Sequence, residues 1–585
     1  MAYQRIRPPS EISWENPVAD ADWFPALGDI AFPADARSQQ YKEALRLLSL
    51  FYCGKRKGGE KDVRELKHYL RDPMARFLVV WGDVGAGKSS FLRYHLAGLD
   101  RRGTPGANAV GGVIDMLRGA PGSAREGTAV SVYRQLCPIL EGYFSDHLGS
   151  TYDAVLESKL DLARERLGET ADAIDVEALA QQMTAEVVSQ PSGERYALEL
   201  MDTVEGCSGP PLFVAVDNID RTDDAQQEVL LRLSTTLLRN AKLRLIIPLR
   251  KSSSVLGNHF KGLQEFRWEQ MELSALDLED MLAPRFEYDQ KGDSIASASL
   301  TDRGKRYTYG HLFRLLFPSP AKEGTGQLLV RLAGRNARVF LSMVAHALRS
   351  EQLDGLHNLQ EHEHVVAALM LSEDSAADPF DTYVLNLFEN HEPGIHGNNL
   401  IRFRVLEFLS TERTATPRDA RFSRHFTHLG YSDEQVLQVL ALLVSRGLLA
   451  SSEGIEPDEI RKARPESIGP LSITASGSLY FEDLLKSMWY FVAAKRSIFL
   501  PDSFRSRDAE EGHEYVTHSA LVEFLAEEEE REREVLRKKE REIGPTTYKF
   551  LLPSELARQA LRQPSQRSRP TPRSRKARDA RQGLG

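Results

Sequence analysis

The chain has 585 residues, 41% of them hydrophobic and 27% charged, a composition expected of folded soluble domains and too long for one core, so three or four domains are expected. No stretch approaches the roughly 18 apolar residues of a membrane span, the N-terminus MAYQRIRPPSEISWENP has no apolar leader core, and the scattered Cys53, Cys137 and Cys207 argue against a disulfide framework or a zinc site; a cytoplasmic setting is expected. The net charge of −9 conceals a basic end, because nine Lys and Arg between Arg558 and Gly585 face one acid, Asp579.

Residues 1–40, rich in proline and aromatics without periodicity, read as an extended arm. A P-loop core is expected over 41–280. It begins with helical patterns between Gln40 and Leu70 and continues into FLVVWGDVGAGKSSFLRYHL, residues 77–96. There an apolar strand runs into Gly82, Asp83, Val84, Gly85, Ala86, Gly87, Lys88, Ser89 and Ser90, which contain the spacing G-x-x-x-x-G-K-[ST] ahead of a helix. Glycines at 82, 85 and 87 let the backbone turn tightly and aim its N–H groups at a polyphosphate lying at the helix's positive end. Lys88 is placed to reach the β- and γ-phosphates, and the Ser89 hydroxyl to ligate Mg²⁺.

A second buried strand is expected at 109–117 with Asp115 at its end, followed by a helical stretch, 123–207, much of it beyond what a crossover needs and so an insertion. PLFVAVDNIDR then describes a central parallel strand that delivers Asp217 to the carboxyl edge of the sheet, where it would hold Mg²⁺ opposite Ser89. LRLIIPLRKSS supplies a further strand ending in Arg250, and FRWEQMEL a fifth. The alternation predicts an α/β, doubly wound parallel sheet.

These pieces resemble the AAA+ and STAND P-loop ATPases, especially origin-recognition-like and KAP-like members. The resemblance rests on GDVGAGKSS, VAVDNIDR and RLIIPLR, with LSALDLEDMLAPRF opening a helical lid (281–395) and LLVRLAGRNARVFLSMVAHAL similar to a sensor-2 helix. It implies that Arg338 contacts the γ-phosphate from the lid and that Arg250 senses it from the sheet. Residues 396–500 resemble the winged helix that commonly follows, its third helix opened by a Ser432/Gln435 capping box and striped by Val436, Leu437, Leu440, Leu443 and Val444. Residues 501–585 hold a mixed-sign charged helix, read as a solvated face or linker, and a Pro/Ser/Arg-rich tail expected to be disordered beyond Arg558.

One departure matters for the chemistry. Asn218 stands where such enzymes place the glutamate that polarises water, and an amide cannot act as a general base. The KAP-like pattern D-N-x-D-R implies Asp220 for that role. Arg221, Arg239 and Arg250 remain alternatives for an arginine finger. The absence of an N-K-x-D motif favours ATP over GTP. Two functions follow: an ATP-bound, slowly hydrolysing switch acting on a protein partner or effector, as in regulation or phage defence, or an ATP-regulated DNA-binding protein such as an initiator-like loader or transposition helper. Nucleotide-dependent self-association is compatible with either.

Overall fold

In a computed structural model the described residues lie between Gly59 and Arg562. The larger stretches outside the description within that range are 98–109, 117–125, 251–265, 288–298, 319–323, 350–359, 371–382, 390–398, 499–503 and 508–513, and residues 83–84 and 220–223 also fall outside it. The expected arm (1–40) and the tail from 563 onward therefore lie outside the described residues. The chain divides into two compact units, one spanning 14–288 with 335–339, the other including 289–334 and 340–585.

The first unit begins with helix α1 (Gly59–Arg71) and strand β1 (Phe77–Trp81), followed by α2 (Lys88–Ala97) and β2 (Val110–Asp115). Four helices follow: α3 (Glu126–His147), α4 (Thr151–Leu167), α5 (Ala173–Val188) and α6 (Glu194–Gly206). Strand β3 (Leu212–Asp217), α7 (Asp224–Arg239), β4 (Leu243–Leu249), β5 (Trp268–Glu272) and α8 (Leu278–Glu287) complete it. All five strands are parallel, in the order β2-β3-β4-β1-β5. The α/β parallel core expected from the sequence is thus present.

Strands β1 and β3 run apolar up to their last residues, and β4 does so apart from Arg244, whose guanidinium donates to the Asp72, Pro73 and Ala75 carbonyls, because both faces of these strands are covered. Phe77, Val79, Leu212, Val214 and Val216 join the core built by α3, α6 and α7. Leu78, Val80, Phe213 and Ala215 join the core under α1 and α2, with Leu66, Tyr69, Phe91 and Leu92. Since side chains alternate along a strand, Asp217 continues the Phe213 and Ala215 row and faces the P-loop helix α2. Pro248 sits inside the central strand β4, an unusual place for a residue with no N–H. The Leu245 N–H donates to Arg76 on the β1 side, so alternation directs the N–H groups of even-numbered β4 residues toward β3. Pairing of β4 with β3 ends at Ile246, and the missing donor of Pro248 falls where no partner remains.

The expected insertion of 123–207 is narrower in the structure. Helices α3 and α6 pack into the main core, which Ala154 and Val155 of α4 and Val187 of α5 also join; away from it α4 and α5 form a hairpin with a small core of their own, Ala163, Val176 and Ala180 with Leu156, Leu160 and Leu179 packed against them.

The second unit opens with an antiparallel pair, β6 (Ser299–Asp302) and β7 (Lys305–Thr308), so the region read as a helical lid also carries a β-hairpin. Helices α9 (Tyr309–Leu316), α10 (Thr325–Leu332), α11 (Ala337–Arg349) and α12 (His362–Met370) follow; the first three residues of α11 cluster with the sheet unit. Next come α13 (Ile401–Glu412), β8 (Thr414–Ala415), α14 (Ala420–His428), α15 (Asp433–Ser445), β9 (Leu449–Ser451), α16 (Pro457–Lys462) and β10 (Leu471–Ile473). The three strands form an antiparallel sheet in the order β8-β10-β9. The Ser432/Gln435 capping box is formed at the start of α15. That helix is buried beyond the expected stripe, with Val439, Ala441 and Leu442 also inside. Helices α17 (Ala475–Glu482) and α18 (Met488–Ser497) follow, and Tyr490 and Phe491 of α18 are core residues.

The C-terminal helices α19 (His518–Ile543) and α20 (Pro553–Arg562) correct the reading of a solvated charged segment. Leu521, Phe524, Leu525, Glu528 and Glu529 of α19 are buried, and the helical part of the chain runs past Arg558 to Arg562. Arg404 of α13, its side chain 2% exposed, donates to Glu532 at 2.7 and 2.9 Å, to Glu407 at 2.8 Å and to the Leu551 carbonyl at 2.8 Å. Tyr431 also donates to Glu532, and Glu529 accepts from the Ser554 N–H and hydroxyl at the start of α20. Beside this network His425 lies among Phe408, Tyr548 and Phe550; burial, reinforced by Arg404, His428 and Arg421, pushes its pKa down to about 3.

Candidate nucleotide site

The P-loop joins β1 to α2 at the carboxyl edge of the sheet. Gly85 and Gly87 adopt φ values of 71° and 74°, in the left-handed region that side chains disfavour. Gly82 is not among the positive-φ positions, and a Cβ there would lie 3.4 Å from the Lys88 stem, an ordinary contact. The glycine requirement read from the sequence therefore concentrates at 85 and 87. Asp83 and Val84 lie outside the described residues; Ala86 is buried, and Ser89 and Ser90 are half-buried in the first turn of α2. The Lys88 ammonium donates to the Gly82 carbonyl at 2.7 Å, an intraloop bond it would exchange for phosphate oxygens.

Asp217 ends β3 and is 4% exposed. Its Oδ1 accepts the Asn218 N–H at 3.0 Å, while its Oδ2 is buried with no hydrogen-bond partner. Burial pushes the carboxyl up from its ordinary range; the Ser89 hydroxyl and the Arg93 charge pull it down, the Asp115 charge adds to the rise, and the Asn218 N–H opposes it. A buried carboxylate oxygen without a partner is costly unless a cation or donor completes it, so the pair Ser89 and Asp217 fits Mg²⁺. Among the described residues no group of three His, Cys, Asp or Glu gathers as a metal cage. A hydroxyl with one carboxylate suits an ion that takes its remaining oxygens from phosphates and water.

Sequence reasoning missed what surrounds Asp217. Asp115 is its registered partner on β2, and Arg93 of α2 pairs with Asp115 at 3.1 Å. Asn218, at φ 63°, donates its side-chain amide to Asp115 Oδ1 at 2.8 Å. On the open edge of β2 the Gln135 side chain takes the place of a neighbouring strand: it accepts from the Asp115 N–H at 2.9 Å and donates to the Asp115 carbonyl at 3.0 Å. Asp220 and Arg221, expected near this edge, lie outside the described residues. Arg250 follows β4, between the P-loop strand and the Asp217 strand, and Arg239 is exposed at the end of α7.

Of the sensor-like sequence, Asn336 is the residue brought onto the P-loop. Its Oδ1 caps α11 by accepting from the N–H groups of Arg338 and Val339 at 3.1 and 3.3 Å, and the Ala337 N–H donates to the Gly85 carbonyl at 3.3 Å. Arg338 is exposed in the first turn. A Cβ built on Gly85 would lie 1.9 Å from Asn336 Oδ1. Gly85→Ala therefore meets both a left-handed φ and the Asn336 side chain, and we expect it to weaken ATP binding at least tenfold, or about 1.4 kcal/mol, as read by equilibrium dialysis; unchanged affinity would show that the loop and Asn336 part without cost.

Residues 58–247 match the family model described as the AAA ATPase domain. No curated protein matches the chain. Similar solved structures include the Aeropyrum pernix Orc1 protein in complex with DNA, with 14% identity, coverage of 74% of this chain and 96% of that one, and a TM-score of 0.31. Drosophila ORC bound to DNA shows 12% identity, coverage of 83% and 96%, and a TM-score of 0.26. Cdc6p from Pyrobaculum aerophilum shows 13% identity, coverage of 81% and 98%, and a TM-score of 0.25.

Proposed function

We propose that this chain, which carries an AAA ATPase domain at residues 58–247, is an ATP-binding switch that hydrolyses its nucleotide slowly. The observation that carries the reading is the buried Asp217 carboxylate beside the Ser89 hydroxyl of the P-loop helix, with its Oδ2 left without a hydrogen-bond partner. Backbone N–H groups of the P-loop and Lys88 would bind the phosphates, and Ser89 and Asp217 would hold Mg²⁺, which when bound neutralises developing charge on the β- and γ-phosphates. Arg338, in the first turn of α11 directly after the contact to Gly85, would meet the γ-phosphate, so that nucleotide state bears on the position of the helix. Slow turnover follows from Asn218, which stands directly after Asp217 and cannot take a proton from water, so that the base has to act from another position than the one next to the metal-holding carboxylate.

The order helix, strand, helix, helix, strand, short helix, strand over 401–473, with the three strands in one antiparallel sheet, supports a winged-helix reading of that region. Its third helix starts with Asp433 and Glu434, a poor face for a phosphate backbone, and this favours a protein partner there. The second reading, ATP-regulated DNA binding, rests on the nine basic residues from Arg558 onward together with Arg418, Arg421, Arg424, Arg461, Lys462 and Arg464, of which Arg421 pairs with Glu412. Among the described residues no helix is long and apolar enough to cross a membrane. Measuring turnover of the purified chain with and without duplex DNA separates the two readings. The switch predicts a rate that DNA leaves within about threefold, whereas stimulation of about tenfold or more, declining with salt, favours the DNA-binding protein.

A further inference from the structure

Resting on the proposed ATP hydrolysis, we infer that Asp115, at the end of the neighbouring strand, is the carboxylate that takes the proton from the attacking water, with Asn218 and Arg93 as its positioning residues. Asp115 is the registered Cα partner of Asp217, on strands roughly 4.8 Å apart, and residues paired across parallel strands project to the same face. That face is covered by α2, which carries the P-loop lysine and serine. Arg93 lies one helical turn beyond Ser89 on α2 and holds Asp115 Oδ2, so the placement of this carboxylate is tied to the element that grips the phosphates.

Three further features make Asp115 a built position. Its backbone N–H and C=O are both held by the single Gln135 amide, which fixes the strand end on the edge where, among the described residues, no further strand continues the sheet. Asn218 is held at a positive φ that few residues other than Asn, Asp and Gly tolerate, and there its amide meets Asp115 Oδ1. The Asp115 side chain is 15% exposed, which leaves it reachable by one water. The amide at 218 and the carboxylate at 115 thus divide a task that one glutamate after Asp217 would perform alone.

In the step, a water oxygen forms a bond to the γ-phosphorus while the bond from that phosphorus to the β,γ-bridging oxygen breaks. The electron pair leaves with ADP, and the water proton passes to Asp115, from which it returns to inorganic phosphate or solvent. Nothing is oxidised or reduced.

The test uses the full chain with Mg²⁺ and ATP, reading affinity by equilibrium dialysis, γ-phosphate release in single turnover, and the thermal unfolding midpoint as a check on folding. Asp115→Asn is expected to lower the rate of phosphate release by about 10²- to 10⁴-fold with ATP affinity within about threefold of the unsubstituted chain. Combining Asp115→Asn with Asn218→Asp restores one carboxylate and one amide in exchanged positions and is expected to raise the rate above that of Asp115→Asn alone. A rate for Asp115→Asn within about threefold of the unsubstituted chain overturns the inference, as does a loss confined to Asp220→Asn. Those results would leave the nucleotide switch standing, whereas an unsubstituted chain that binds no ATP removes both.

Discussion

Replacing Arg404 by alanine is expected to destabilise the second unit by about 3–5 kcal/mol, the usual cost of removing one member of a buried ion pair. Arg404 is the guanidinium shared by Glu407 and Glu532, whose side chains are 2% and 11% exposed, and its loss leaves two carboxylates facing each other away from water. The Leu551 carbonyl loses a donor at the same time. Arg331 offers the contrast. It pairs with Glu482 and Asp483, but at 39% exposure against partners more than half exposed, so Arg331→Ala is expected to cost about 1 kcal/mol or less. Urea unfolding of the full chain, followed by circular dichroism, measures both. Because the cost comes from unpaired charge, the triple variant Arg404→Met, Glu407→Gln, Glu532→Gln should recover most of the loss. An Arg404→Ala transition no more shifted than that of Arg331→Ala would show that α19 and α20 do not depend on this network.

Lys88→Ala should leave the fold intact and remove most of the ATP affinity. In the structure the ammonium donates to a loop carbonyl, that of Gly82. With nucleotide bound, the same ammonium would make charge-assisted bonds to two phosphates. Losing one or two such bonds costs about 2–4 kcal/mol, roughly a 30- to 700-fold weaker Kd. Equilibrium dialysis against labelled ATP reads this directly, and undiminished affinity would remove the phosphate-binding role from the loop.

The parts of this architecture that were legible in the sequence are local. The P-loop spacing, the apolar run into Asp217 and the Ser432 capping box each lie within a few residues, and each is enforced by backbone geometry that the same residues dictate. What was not legible depends on elements meeting. Asp115 was placed at a strand end, but its bonds to Arg93 and Asn218 arise from the β2–β3 register and from α2 lying on that face. Asn336 was read as part of a sensor pattern with Arg338 as the active member, and the contact to Gly85 follows only from where α11 begins. In α19 a signal was present and went unread. Leu521, Phe524, Leu525, Glu528, Glu529 and Glu532 continue one helical stripe at spacings of three and four, and the stripe stays buried after its residues change from apolar to acidic because Arg404, Tyr431 and Ser554 are there to receive them. Helical periodicity carried the information; residue polarity concealed it.

The direct test of an ATP-binding switch at this loop is the binding stoichiometry of the purified, unsubstituted chain, measured by equilibrium dialysis with ATP in the presence of Mg²⁺ and again with the metal chelated. One ATP held per chain, with affinity falling on chelation because Asp217 and Ser89 then face the phosphates without their cation, is the predicted result. A chain that retains no ATP at millimolar nucleotide, or that binds it equally well without Mg²⁺, would contradict it.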